Sequence, residues 1–362
     1  MNRALIAAAG TGGHIFPALA VAETLRNDGW QIDWLGTREG RLESRVIPAA
    51  GFSLHSISMT GVRGHGLLRK LKMPLVLAKA VLQCRRLLKH LQPNVVVTFG
   101  GYVCAPMGIA AKMMGIPLLV HEQNAVPGMT TRLLAPRATN VFLGLPVATP
   151  QWRRYSVVGN PLRQAFTEVV KTHQEDKSIA GPITILVVGG SLGAKVLNEQ
   201  VPQAVQQLVD VELNVVHQCG QGNEASTKAA YAGAEVISSL AVHEFIDDMA
   251  SEFAKADLVI CRAGALTVSE LAAVGVASIL VPLPHAVDDH QTANAKVLES
   301  CGAALLMPQK ELENGSLAIH LKRLLHDRQQ LWTMARFARE RGMPEATQRL
   351  ANECKRFEKS DD

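Results

Sequence analysis

The sequence predicts an α/β protein made of two doubly wound domains that face one another across a cleft, and three observations lead there. First, two glycine-rich turns, Ala9-Gly10-Thr11-Gly12-Gly13-His14 and Gly189-Gly190-Ser191-Leu192-Gly193-Ala194, lie half a chain apart, each between an apolar run and a helix-like stretch. Second, those runs, residues 4–8 and 183–188, are mostly apolar rather than alternating, as expected of strands buried on both faces of a parallel sheet. Third, 362 residues at 48% apolar composition exceed what one core usually holds and suffice for two. Glycine lets the backbone reach positive φ, and a helix N-terminus carries partial positive charge, so either turn can hold a phosphate.

The remaining elements follow in order. After the first turn, residues 15–27 read as a helix and 31–35 as a strand, with further strands at 95–99, 117–120 and 156–158 separated by helical stretches. The second half repeats the rhythm, with strands at 213–216, 258–261, 278–281 and 303–306 and helices at 195–208, 266–274 and 291–300. Alternating β and α implies parallel sheets. The polar stretch 171–178 reads as an exposed linker, which puts the hinge between Asn160 and Gly181. The expected domains are therefore residues 1–160 and 161–340. An amphipathic helix over about 341–358 is expected to pack back on the first of them.

Composition removes several function classes. Aromatic residues make up only 4%, which is poor material for a base-stacking surface. The six cysteines are scattered without a C-x-x-C pair, unlike a disulfide framework or a zinc site, and a reducing cytoplasm is expected. The first apolar run is too short for a signal peptide. The longest uncharged stretch, 91–111, is broken by Pro93, Asn94, Gly100, Gly101 and Pro106, so no transmembrane helix is expected.

Charge is unevenly spread. No Asp or Glu occurs between Glu43 and Glu122, while Arg45, Arg63, Arg69, Lys70, Lys72, Lys79, Arg85, Arg86, Lys89 and Lys112 fall inside that interval. From Leu67 to His90, Leu68, Leu71, Leu75 and Leu82 recur at helical spacing, Lys72, Lys79 and Arg86 lie seven apart, and Pro74 reads as a break or helix start. This pattern resembles an interfacial anchor whose leucines enter the headgroup boundary while its cations meet anionic lipid. The ordinary alternative is an amphipathic helix with its leucines in the core. Nucleic acid is disfavoured because no recognised binding motif accompanies the charge.

For chemistry, the dinucleotide fingerprint fails at both turns. Ile15 stands where G-x-G-x-x-G needs its last glycine, and the strand after each turn ends without the acid that would hold a ribose. The segment Arg262-Ala263-Gly264-Ala265-Leu266-Thr267-Val268-Ser269-Glu270 offers another design. There a strand end, a small-residue turn and a helix first turn bring amides and Thr267 to phosphate oxygens, with Glu270 accepting ribose hydroxyls. The competing reading of Thr267-x-x-Glu270 is a capping box.

Together Gly10-Thr11-Gly12-Gly13-His14-Ile15-Phe16-Pro17-Ala18, Gly100-Gly101-Tyr102 with Pro106, His121-Glu122-Gln123-Asn124, Gly159-Asn160-Pro161-Leu162-Arg163, the 189–194 turn and residues 263–270 resemble the MurG family of peptidoglycan N-acetylglucosaminyltransferases over nearly the whole chain. The resemblance implies a GT-B fold of two Rossmann-like domains. It also implies inverting transfer of N-acetylglucosamine from UDP-N-acetylglucosamine to the muramyl 4-hydroxyl of lipid I, on the cytoplasmic face of the bacterial inner membrane, where the protein is peripheral. By motif, it implies donor contacts from Thr11, Gly12, Gly13, Asn124, Arg163, Ser191, Ile246, Ala265, Leu266, Thr267, Val268, Ser269, Glu270 and Gln291. Residues 1–160 then become the acceptor and membrane-facing domain, and 161–340 the nucleotide-sugar domain.

An inverting transfer needs a base for the acceptor hydroxyl and positive help for the departing diphosphate. His14 is the candidate base, since a neutral imidazole of ordinary pKa about 6.5 takes a proton near neutrality. Its alternatives are capping the helix or binding acceptor pyrophosphate, and Glu122 is the rival base. Arg163 and the amides around Ser191 counter the diphosphate. No metal and no cofactor are expected: Asp-x-Asp is absent, Asp247-Asp248 and Asp288-Asp289 read as cap or loop residues, and His285 with His290 adds only a weak metal signal. The expected partners are UDP-N-acetylglucosamine, lipid I and an anionic membrane surface met through the Leu67 to His90 region. Two other readings remain: a UDP-N-acetylglucosamine 2-epimerase-like enzyme, and a non-catalytic, membrane-docked nucleotide-sugar sensor.

Overall fold

A computed structural model describes residues 2–37, 42–57, 67–147, 152, 154–172, 181–190, 192–284 and 286–359, without the side chains of 67–72, 171, 172 and 287. In chain order the first half runs β1 (Arg3–Ala8), α1 (Gly12–Asn27), β2 (Gln31–Thr37), α2 (Glu43–Ala49), β3 (Ser53–Ile57), α3 (Leu67–Leu91), β4 (Val95–Gly100), α4 (Cys104–Met113), β5 (Leu118–Glu122), α5 (Met129–Leu134), β6 (Asn140–Leu143) and β7 (Tyr155–Val157). It continues α6 (Gln164–Thr172), β8 (Ile183–Val188), α7 (Lys195–Val205), β9 (Leu213–Gln218), α8 (Glu224–Ala230), β10 (Ile237–His243), α9 (Met249–Lys255), β11 (Leu258–Cys261), α10 (Ala265–Val274) and β12 (Ala277–Leu280). The last elements are α11 (His290–Glu299), β13 (Ala304–Leu306), α12 (Gln309–Glu313), α13 (Ser316–His326), α14 (Arg328–Glu340) and α15 (Ala346–Lys355).

The chain divides into two compact units, Met1–Arg163 with Glu345–Asp362, and Gln164–Pro344. In the first unit the described strands form one parallel sheet in the order β3-β2-β1-β4-β5-β6-β7. Side chains alternate across it: Leu5 and Ala7 pack with Val96, Cys84, Leu88 and Met107 under α3 and α4, while Ala4, Ile6 and Ala8 pack with Trp34, Val97, Val21 and Leu25 under α1. Because both faces are covered, every strand position must be apolar, which is why the run at 4–8 shows no alternation. Helix α15 lies on that second layer through Leu350, Ala351 and Cys354. Asn94 Nδ2 donates to Phe357 O at 3.0 Å, Trp30 Nε1 to Glu358 Oε1 at 3.2 Å, and Lys355 pairs with Asp28, so three contacts tie the chain end to this unit.

The second unit repeats the plan with the order β10-β9-β8-β11-β12-β13, all parallel. Its core joins Ile183, Ile185, Val187, Leu258, Ile260 and Ile279 to α7 and α13 through Leu197, Val201, Leu321 and Leu324. In both sheets the chain lays strands to one side of its first strand, then returns to the other side. The reversal falls between β1 and β4 in one unit and between β8 and β11 in the other, and at such points the C-terminal strand ends leave room for a ligand.

Two sequence readings need correction. Pro74 neither starts nor breaks a helix: α3 runs through it, with Ala80, Val81, Cys84, Leu88 and Leu91 buried on the core and Pro74 on the exposed side. Packing along the second half outweighs the one backbone bond that proline removes. Lys171 and Thr172, read as linker, finish α6, and 173–178 lie outside the described residues. Among the described residues no helix is long and apolar enough to cross a membrane.

Candidate functional site

In the first unit, Ala8 at the end of β1 is in register with Gly100 at the end of β4, so the turn at 9–13 and the Gly100-Gly101 pair leave the sheet side by side. Gly101 has φ +89°, and a Cβ there would stand 2.4 Å from Ala9 O. Only glycine allows that approach. Helix α1 then starts behind Thr11, an extended N-cap whose side chain makes no capping bond. His14, half-buried on the first helical turn, places Nδ1 3.2 Å from Ala9 O. A proton on Nδ1 serves that contact and leaves the lone pair on Nε2. The ring lies over Gly100, where a Cβ would come within 2.8 Å of Nε2. Thr11, not His14, occupies the N-cap position, and the His14 ring meets a carbonyl upstream of the first turn.

Glu122 ends β5, next to β4, and is 4% exposed. One oxygen accepts from Asn124 N at 3.1 Å and Asn124 Nδ2 at 3.3 Å, and the other from Gly128 N at 2.9 Å and Thr131 Oγ1 at 2.6 Å. These four donors tie Glu122 to residues 124–131 and fix the turn that carries Asn124. Beside it, buried His121 bonds Gly159 O through Nε2 at 3.0 Å, and Gln123 Nε2 lies 3.1 Å from its Nδ1. Burial pushes its pKa down to about 4, so it is neutral. Asn160 Nδ2 donates to Gln123 O at 3.1 Å, just before exposed Arg163.

In the second unit, Val188 is in register with Cys261, so the 189–193 turn and the segment from Arg262 leave neighbouring strands together. Ser191 lies outside the described residues. A Cβ on Gly193 would stand 2.1 Å from Cys219 O, so the turn sits directly on the 218–220 backbone. Helix α10 begins behind Gly264, again without a side-chain cap. This removes the capping-box reading: Thr267 is the third residue inside the helix, not its cap, and Glu270 stands three further along. Two side chains hold the preceding turn. Asn294 Nδ2 donates to Ala263 O at 3.2 Å, and Arg262 donates to Val281 O, Pro282 O and Gln309 Oε1. The first-turn amides of α10 are thus presented by a braced loop, a geometry suited to oxyanions.

Ile246 lies half-buried between β10 and α9. Gln291, on the first turn of α11, accepts Leu283 N at 2.9 Å through Oε1, which leaves its NH2 end as the donor. Asp248 caps α9 by accepting Ser251 N at 3.1 Å, and Asp289 occupies the N-cap of α11 and accepts Thr292 Oγ1 at 2.7 Å. Among the described residues no group of three or more His, Cys, Asp or Glu is placed to hold a metal, and His285 lies outside them. Sequence reasoning missed Asn294 and Gln218. Both are polar residues without a motif, and only burial identifies them: they are 0% and 2% exposed.

On α3, Leu75 is 74% and Leu82 54% exposed, with Val76 beside them and Lys79, Arg85, Arg86 and Lys89 on the same open surface. The two leucines therefore do not face the core. The side chains of Leu68, Arg69, Lys70, Leu71 and Lys72, and all of Arg63, lie outside the described residues.

The glycosyltransferase family 28 N-terminal domain model matches residues 4–143, and the family 28 C-terminal domain model residues 184–350. The chain is 73% identical, over the full length of both proteins, to the UDP-N-acetylglucosamine--N-acetylmuramyl-(pentapeptide) pyrophosphoryl-undecaprenol N-acetylglucosamine transferase of Idiomarina loihiensis. The crystal structure of Acinetobacter baumannii MurG superposes with TM-score 0.85 at 41% identity, over 98% of this chain and 100% of that one. A UDP-GlcNAc 2-epimerase from Neisseria meningitidis, solved with UDP-GlcNAc, shares the fold at TM-score 0.65 and 12% identity, over 97% of this chain and 99% of that one.

Proposed function

The chain belongs to glycosyltransferase family 28, and within it to the MurG transferases, and from that premise we propose how its residues divide the work. It transfers N-acetylglucosamine from UDP-N-acetylglucosamine to N-acetylmuramyl-(pentapeptide) pyrophosphoryl-undecaprenol. The epimerase likeness is one of fold alone.

In this reading the second unit binds the nucleotide. The first-turn amides of α10 (Ala265, Leu266, Thr267), with Val268 and Ser269 behind them, and the 189–193 turn with Ser191 meet the diphosphate. Glu270 accepts the ribose hydroxyls, Ile246 meets uracil through its backbone, and Gln291 donates to the sugar. Thr11, Gly12, Gly13, Asn124 and Arg163 complete the donor contacts. Glu122 acts through Asn124, whose turn it holds. The muramyl 4-hydroxyl attacks the anomeric carbon opposite the UDP oxygen, so the new glycosidic bond forms as the old one breaks and configuration inverts. His14 Nε2 accepts the hydroxyl proton, and amides with Arg163 take up the charge that develops on UDP. No step needs a metal or another cofactor. What supports the reading is one coincidence: the glycine turn of each unit falls at the reversal point of its own sheet, where a helix N-terminus without a side-chain cap follows the strand.

The membrane-facing part of the proposal rests on α3. Leucines standing in water beside four cations, in a segment free of acids, fit an anionic surface on the cytoplasmic face of the inner membrane, and the same segment carries no sign of nucleic-acid binding. Sedimentation with anionic but not neutral vesicles is expected, and L75S/L82S is expected to abolish it. The catalytic reading is tested by supplying radiolabelled UDP-N-acetylglucosamine with and without lipid I. Label in the lipid fraction is expected, whereas label in a free epimer, or nowhere, overturns it.

A further inference from the structure

Gln218, the last residue of β9, lies beside the 189–193 turn and uses its whole carboxamide on backbone. Oε1 accepts Gly190 N at 3.0 Å, and Nε2 donates to Gly190 O at 3.0 Å and to Glu244 O at 2.8 Å. Its own carbonyl accepts Gly189 N at 3.1 Å, and Gly193 N closes the turn on Gly190 O at 2.8 Å. On the other side Cys219 N bonds His243 O at 2.9 Å, and Glu244 Oε1 accepts Gly222 N at 2.7 Å. One side chain, 2% exposed, thus joins two segments that leave different strands: the glycine turn after β8 and the Glu244-Phe245-Ile246 segment after β10.

We infer that Gln218 is a positioning residue for the nucleotide, tying the diphosphate-binding turn to the uracil-binding segment so that both are set before the donor arrives. This rests on the donor reading above, in which the 189–193 turn meets phosphate and Ile246 meets uracil. A planar amide suits the task because it offers an acceptor and two donors at one end of the side chain. Leucine of similar size makes none of these bonds. An ionised glutamate keeps the acceptor but sets negative charge against two carbonyl oxygens. Ordering that binding alone would otherwise have to impose is a direct cost to affinity, so the effect belongs in donor binding, not in the acceptor step.

The experiment is calorimetric titration of the full-length chain with UDP and with uridine, beside steady-state kinetics, for wild type, Gln218→Leu and Gln218→Glu. Gln218→Leu is expected to weaken UDP about ten- to fiftyfold and uridine several-fold. Donor KM should rise in proportion, with lipid-acceptor KM unchanged and kcat within about threefold. Gln218→Glu is expected to bind UDP weakly at pH 8 and, relative to wild type, to recover as pH falls toward 6, because a desolvated carboxyl facing carbonyls protonates and donates again. A purely structural role would lower the folded fraction and leave the affinity of the folded protein intact. Folded Gln218→Leu binding UDP within twofold of wild type overturns the inference. If that variant does not fold, absence of acid recovery in Gln218→Glu overturns it. Wild type that binds no UDP would instead sink the donor reading.

Discussion

The two reversal points of the molecule are built alike and equipped differently. At β1/β4 and at β8/β11 a buried strand ends in a glycine turn and a helix starts without a side-chain cap. Elsewhere α9 and α14 carry side-chain caps, Asp248 and Asp327, while α8, α13 and α15 start without one. At the first corner the turn is squeezed against Gly100 and Gly101 to seat an imidazole, His14. At the second, Gln218, Asn294 and Arg262 brace backbone amides in front of Thr267 and Glu270. The topology supplies helix N-termini in both places, and the side chains around them carry the proposed division, a proton at the first corner and an anion at the second.

The largest effects should separate the corners. His14→Ala is expected to lower kcat by about 10²–10⁴ while leaving UDP affinity within twofold. Glu270→Ala is expected to weaken UDP about ten- to a hundredfold with much less loss of kcat at saturating donor. Turnover and calorimetry read both, and a crossed result would break the comparison. Next comes acid, which should strike both units. His121 in the first and His217 in the second are held down to about 4 by burial. The unfolded chain protonates each near 6.5 while the fold refuses the proton, so stability falls from about pH 6.5 and the loss is nearly complete by pH 4, at about 3 kcal/mol each. Urea midpoints at pH 7 and 4.5 check this. Two glycine substitutions sharpen the parallel: Gly101→Ala and Gly193→Ala push a Cβ into Ala9 O and Cys219 O at φ +89° and +73°, so the backbone strain of about 1–3 kcal/mol each is a lower bound on the cost. Thermal melting measures that cost. Gly101→Ala should slow transfer, and Gly193→Ala should weaken UDP.

Legibility followed burial in most strands, although the inner strand β6 (Asn140–Leu143) went unread and the edge strands β7 and β13 were read. The inner strands β1, β4, β5, β8, β11 and β12 were readable because both faces are covered and their residues are nearly all apolar. Edge strand β3, Ser-Leu-His-Ser-Ile, and edge strand β10, with Ser238 and Ser239 exposed, escaped because solvent covers part of them and their composition looks like loop. The Thr267-Glu270 spacing suited a capping box or a ligand site equally, and only the start of α10 at Ala265 separated them. Exposure alone decided that Leu75 and Leu82 face outward, since helical spacing is the same on either face.

What the sequence determined by itself was therefore whatever is local: apolar runs that must be strands, glycines that must be turns, and a stretch without acids. The tertiary structure decided which polar groups meet. His14 reaches Gly100, Glu122 gathers the 124–131 turn, and Gln218 spans 28 residues to Gly190 and 26 to Glu244. Such contacts join atoms brought near only by strand order, and hydrogen bonds act over about 3 Å in space whatever the separation along the chain.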